Sequence, residues 1–183
     1  AREAHVVEAE IQVHDIAGLV RGASKGEGLG NQVLANIRET DAILHVVRAH
    51  EDANVVHPEG RVDPIGDIDT IETELIFADL EQTERRLERV AKQAKSLDPE
   101  AIAEEAWLRK VVAALQEGKP VRTVPAPEDA PDALKSLSPL TGKPVLFIAN
   151  VNEGEDEVPP AIAEYAKSQG AGAVAISSRL ESE

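Results

Sequence analysis

The chain has 183 residues, 42% of them hydrophobic, and carries 34 acidic against 19 basic side chains for a formal net charge of −15. This is enough for one domain of ordinary size, or one with an insertion, and so acidic a chain is not expected to bind DNA directly, because phosphate contacts require a basic face. Cysteine is absent, which removes disulfides and thiolate chemistry. No apolar run approaches the ~20 residues that span a bilayer, and the mixed, charged N-terminal stretch does not read as a signal peptide. A cytoplasmic protein that works away from membranes is expected. Methionine is also absent, and strand-like sequence begins almost at once, so the chain reads as a piece of something longer.

Val6 to His14 is rich in β-formers and reads as a strand or short hairpin ending in the apolar run Ile11 to Val13. A loop follows from Asp15 to Asn31, with glycines at Gly18, Gly22, Gly26, Gly28 and Gly30. Glycine permits close backbone approach to a ligand. An Asp opening such a loop at a strand end is a usual place for a phosphate or metal site. Asn31 suits the N-cap of a helix from Gln32 to Thr40. Ala42 to Val47 is continuously apolar, as a strand buried on both faces would be, and the loop from Arg48 to Pro64 carries His50 and His57.

From Asp67 the sequence loses Gly and Pro and fills with Glu, Arg and Leu up to Lys95, which predicts one long helix. Leu80, Thr83, Leu87, Val90, Ala94 and Leu97 step by three and four, like a coiled-coil seam. Its many acids are expected on a solvated face, and Arg85-Arg86 through Lys95 is the one locally basic stretch. Asp98-Pro99 starts a second helix to about Glu117, with Ile102, Ala106, Leu108, Val111, Val112 and Leu115 as its apolar side. The two should form an antiparallel hairpin. After a Pro-rich connector and a short helix (Pro131 to Leu137) come an apolar strand, Pro144 to Ala149, a helix, Ala161 to Gln169, and a last strand, Ala173 to Ile176. Alternating strands and helices predict an α/β fold with a doubly wound parallel sheet and right-handed crossovers. The expected divisions are 1–66 and 144–183 for the sheet domain, 67–118 for the inserted hairpin and 119–143 for the connector.

Three strand ends carry polar residues: Asp15-x-x-Gly18, Asn150-x-x-Glu153 and Ser177-Ser178. Each alone is an ordinary turn or cap. Together, in this order, they look like the P-loop GTPase arrangement of Asp-x-x-Gly at switch II, Asn-Lys-x-Asp for the base and Ser-Ala-Lys behind it. The resemblance sharpens over Asp15-Ile16-Ala17-Gly18-Leu19-Val20, Gly26-Glu27-Gly28-Leu29-Gly30-Asn31, Asn36 to Ala42, Val56-His57, Gly60 to Pro64, Glu72 to Leu75 and Lys143 to Glu153. These are similar to the Obg-like ATPases, the YchF family, over nearly the whole chain. The resemblance implies an Obg-type G domain of the P-loop NTPase class, an inserted helical hairpin and a C-terminal TGS domain. Neither the P-loop with switch I nor the TGS domain is found in this sequence, so the chain by itself is expected to bind nucleotide poorly. His14 before Asp15, and Ala49-His50 where the family usually has Cys-Phe, are smaller departures.

The resemblance assigns nucleotide contacts to Asp15, Ile16, Ala17, Gly18, Asn150, Val151, Glu153, Ser177 and Ser178. Asp15 would hold Mg²⁺ through water, as a hard cation prefers, and the Gly18 amide would sense the γ-phosphate. Leu19 occupies the place where most such enzymes put the Gln that orients the attacking water. Leu cannot hydrogen-bond water, so another group must do so; His57 and His50 are the candidates. At the base site, Val151 replaces the Lys and Glu153 the Asp of Asn-Lys-x-Asp. A carboxylate one methylene too long should weaken the paired contact to guanine and erode GTP preference. The expected function is a nucleotide switch that binds and hydrolyses ATP with Mg²⁺ and works with the ribosome or translation factors. A GTP-specific Obg-type GTPase and, for the chain as it stands, a non-catalytic interaction module are the alternatives.

Overall fold

The computed structural model describes residues 12–13, 29–50 and 62–177. Helix α1 is Leu29–Arg38, strand β1 Ile43–Arg48, helices α2 and α3 Pro64–Ala94 and Pro99–Gln116, α4 Ala133–Leu137, β2 Val145–Asn150, α5 Pro160–Ser168 and β3 Gly172–Ile176. The three strands form a parallel sheet in the order β1-β2-β3, with Arg48, Asn150 and Ile176 in register at their carboxyl ends. The α/β class with parallel strands and a helical hairpin between two of them is as expected.

The hydrophobic pattern decides which face of the sheet is covered. Val47, Phe147 and Ala149 point to one side and pack with Ile68 of α2 and with Ile162 and Ala166 of α5. His45 shares that face, its ring 5.5 Å from Phe147. Burial lowers its pKa to about 4, against the opposing pull of the Asp67 carboxylate, so it is a neutral core imidazole at neutral pH. The opposite face differs from the sequence expectation. Leu44 and Val46 are 52% and 58% exposed, so β1 is not buried on both faces. Among the described residues, α2 and α5 both lie on the Val47 side. The start of the chain departs as well: Gln12 and Val13 are not in a strand, and both are exposed.

Helix α2 begins three residues before the predicted start. Asp63 accepts from the Gly66 N–H at 3.1 Å, and Pro64 occupies the first turn, where its missing N–H costs nothing. A Cβ on Gly66 would strike the Asp63 carboxylate, so this glycine, just outside the predicted helix, is what allows the cap. Asp98 caps α3 in the same way through the Glu100 N–H at 3.2 Å.

Between the helices, Ile76 and Val90 of α2 meet Trp107, Leu108, Val111 and Leu115 of α3, and Val121, Ala130, Ala133 and Leu137 close the base. Each large side chain buried here contributes about 1.5–3 kcal/mol. Leu80 and Leu87 pack against this core as the seam predicts, but Leu97 does not. The helix ends at Ala94, and Leu97 turns outward at φ 63°, 78% exposed. The apolar side of α3 is also rotated from the expected one. Ala101 and Trp107 are buried, whereas Ile102 and Ala106 are exposed. Glu104 lies toward α2 because Arg86 donates to it at 2.5 Å.

The acids of α2 are not all solvated, as the sequence suggested: Glu72, Glu74 and Asp79 are buried. Asp79 accepts from the N–H groups of Leu140 and Thr141 at 2.8 and 2.7 Å and from the Thr141 hydroxyl at 2.7 Å. Arg38 of α1 approaches the same carboxylate at 3.9 Å and donates to the Ser138 carbonyl. Lys143 donates to the carbonyls of Arg38 and Thr40. Glu72 pairs with Arg122 at 2.6 Å, and Arg122 also reaches Gln169 just after α5. The connector therefore ties α1, the hairpin and α5 together.

Candidate functional site

The carboxyl ends of β1, β2 and β3 bring four of the expected nucleotide residues to one edge. Asn150 ends β2 between Arg48 and Ile176. Val151 follows, 3% exposed, and then Glu153, which is exposed on a turn completed by Gly154 at φ 85°. That turn closes through the Glu155 N–H to the Asn152 carbonyl at 3.1 Å and through the Asn152 side-chain amide to Glu155. Ser177, one residue beyond β3, is 8% exposed, and its hydroxyl is buried without a hydrogen-bond partner. Buried hydroxyls are nearly always paired. Ser177 lies at the carboxyl edge of a parallel sheet, where α/β folds take ligands.

Asp15, Ile16, Ala17, Gly18, Leu19, His57 and Ser178 lie outside the described residues. Among the described residues no cluster of three or more His, Asp or Glu could hold a metal ion, and the expected Mg²⁺ position at Asp15 falls outside them. One expectation is narrowed: the Val151 N–H donates to the Ile176 carbonyl at 2.8 Å, so that amide is spent within the sheet.

From sequence, His50 is a water-positioning candidate only. The structure places it beside the end of β2, with Nδ1 3.1 Å from the Asn150 carbonyl and its own carbonyl accepting from the Arg48 side chain at 3.2 Å. A carbonyl only accepts, so Nδ1 carries the proton and Nε2 is the nitrogen left for a water. The signal that could have found this contact is the alignment of two neighbouring strand ends, two residues past β1 and at the last residue of β2.

These features define a parallel α/β domain that gathers Asn150, Val151, Glu153 and Ser177 at its carboxyl strand ends. The pattern of the family described as 50S ribosome-binding GTPase matches residues 1–93. The chain is 46% identical over 183 residues to the ribosome-binding ATPase YchF of Bacillus subtilis, covering 97% of this chain and 50% of that protein. It is 48% identical over 141 residues to the protein of the same name from Mycoplasma pneumoniae, covering 77% of this chain and 39% of that one. The solved structure of the Schizosaccharomyces pombe YchF GTPase superimposes with a TM-score of 0.68 at 32% identity, over 83% of this chain and 44% of that one. The chain belongs to the 50S ribosome-binding GTPase family and is a YchF-type, Obg-like domain within it. It spans about half the length of the curated relatives it matches.

Proposed function

We propose that the full-length protein is a nucleotide-dependent switch that binds and hydrolyses ATP in preference to GTP, with Mg²⁺, and acts in association with the ribosome. The observation that carries the nucleotide reading is the alignment of Asn150, Val151 and Ser177 at the carboxyl edge of the sheet. The names of the relatives support the ribosome and ATP assignments.

The preference for adenine rests on two residues. Val151 is buried and apolar where a Lys would otherwise reach over the base, and Glu153 stands exposed on its turn. A longer carboxylate on a solvated turn is a weak reader of guanine's paired donors, and lost paired hydrogen bonds are what discriminate between close isosteres. On the phosphate side, Asp15 would hold Mg²⁺ through water and Gly18 would meet the γ-phosphate. Mg²⁺ would neutralise charge on the transferring phosphoryl group. Leu19 withholds the usual water-orienting amide, which leaves His57 as the group proposed to act there.

Ser177→Ala tests the site directly. Deleting an unsatisfied buried hydroxyl leaves folding stability unchanged or slightly raised, whereas nucleotide affinity falls by about three- to tenfold, the worth of one hydrogen bond. Equilibrium dialysis and urea unfolding on the same variant measure both. Unchanged affinity would remove Ser177 from the site.

A further inference from the structure

The peptide unit joining Asn150 to Val151 is held on both sides. Its oxygen accepts from the Ala49 N–H at 2.9 Å and faces His50 Nδ1 at 3.1 Å, and its N–H donates to the Ile176 carbonyl at 2.8 Å. The bonds from Ala49 and to Ile176 continue the sheet ladders. The bond from His50 is different: a side chain supplies a further rung past the end of β1. The carbonyl has two lone pairs, and both now have donors. His50 is itself restrained, because its carbonyl accepts from Arg48 Nε at 3.2 Å. The Phe that the Obg-like resemblance leads one to expect at this position has no donor to offer.

We infer that His50 is a positioning residue for nucleotide-base recognition, clasping the Asn150 carbonyl so that the turn from Asn150 to Glu153 is set before the base arrives. The inference rests on the nucleotide reading above and assigns a determinant that this reading does not contain. Preorganisation of this kind lowers the ordering cost of binding. It acts on a group remote from the phosphates, so it tightens ground state and transition state alike and alters KM without altering kcat.

The test compares His50→Phe and His50→Asn in the full-length protein, with ATP as the probe. Phe keeps the planar bulk and removes the donor, whereas Asn places a side-chain N–H close to where Nδ1 lies. His50→Phe raises KM for ATP by about three- to tenfold, the range of one net hydrogen bond, with kcat unchanged. His50→Asn recovers KM to within about twofold. Nitrogen-15 spectra of the imidazole show the Nδ1-protonated tautomer in wild type. Equal KM for wild type and His50→Phe overturns the inference, as does equal weakening in both variants, which would mark a packing role. A kcat change in step with KM also overturns it. If the wild-type protein binds neither ATP nor GTP, the nucleotide reading itself fails and this inference with it, an outcome separate from any difference between the variants.

Discussion

Asp79 shows at the scale of one residue how the molecule is joined. A carboxylate 1% exposed would be costly without partners, yet it receives three hydrogen bonds from the Leu140–Gly142 turn and faces Arg38. Burial still pushes its pKa up, against the pull of those donors and of Arg38. The Thr141 hydroxyl that donates to Asp79 accepts in turn from the Val121 N–H at 2.9 Å, so the network runs from α1 through the hairpin to the connector. Asp79→Ala strands two buried N–H groups and should cost about 3–5 kcal/mol, read as a lower urea midpoint with an unchanged slope. A loss below about 1 kcal/mol would mean that the turn finds other acceptors. This residue was not legible in the sequence. Its partners lie 61 and 62 positions away, and an acid in a Glu-rich helix reads as solvated until the fold brings those partners to it.

At the scale of elements, the helices and strands were largely legible, since long runs without Gly or Pro and short apolar runs each admit one periodicity. Their ends were harder. The Asp63 cap extends α2 back through a Pro and a Gly that lie outside the predicted helix, and the left-handed residue after Ala94 ends the seam one step early. The apolar run of β1 announced a strand, but composition alone could not say that one face would stand half exposed. The turn of the hairpin yields a prediction. Leu97 holds φ 63° with its side chain in solvent, so it bears a left-handed backbone without gaining burial. That conformation costs roughly 1–2 kcal/mol for a residue with a Cβ. Leu97→Gly removes the strain at some cost in unfolded-state entropy, and a net gain of about 0.5–1 kcal/mol is expected, seen as a melting point a few degrees higher. A lower melting point would show that the Leu97 side chain contributes contacts that its exposure conceals.

For the molecule as a whole, the sheet gathers residues distant in sequence onto one edge, that of the proposed nucleotide site. Asn150, Val151, Glu153 and Ser177 were legible as a group because each lies at or just past the carboxyl end of an apolar run, and parallel strands align such ends. The clasp of His50 on Asn150 was not legible, because it depends on register: Arg48 opposite Asn150 puts the second residue past β1 beside the last carbonyl of β2. The spent N–H of Val151 follows from the same register on the β3 side. The tie from Glu72 through Arg122 to Gln169 joins the hairpin base to α5, which packs beneath the same sheet. The hairpin is thus anchored to the body that carries these strand ends.

The central claim is that this edge reads adenine rather than guanine. Isothermal titration of the full-length protein with non-hydrolysable ATP and GTP analogues in Mg²⁺ tests it most directly. The account predicts that the ATP analogue binds about tenfold or more tightly than the GTP analogue, the discrimination that a lost paired contact to guanine allows; tighter binding of the GTP analogue by a similar factor would contradict it.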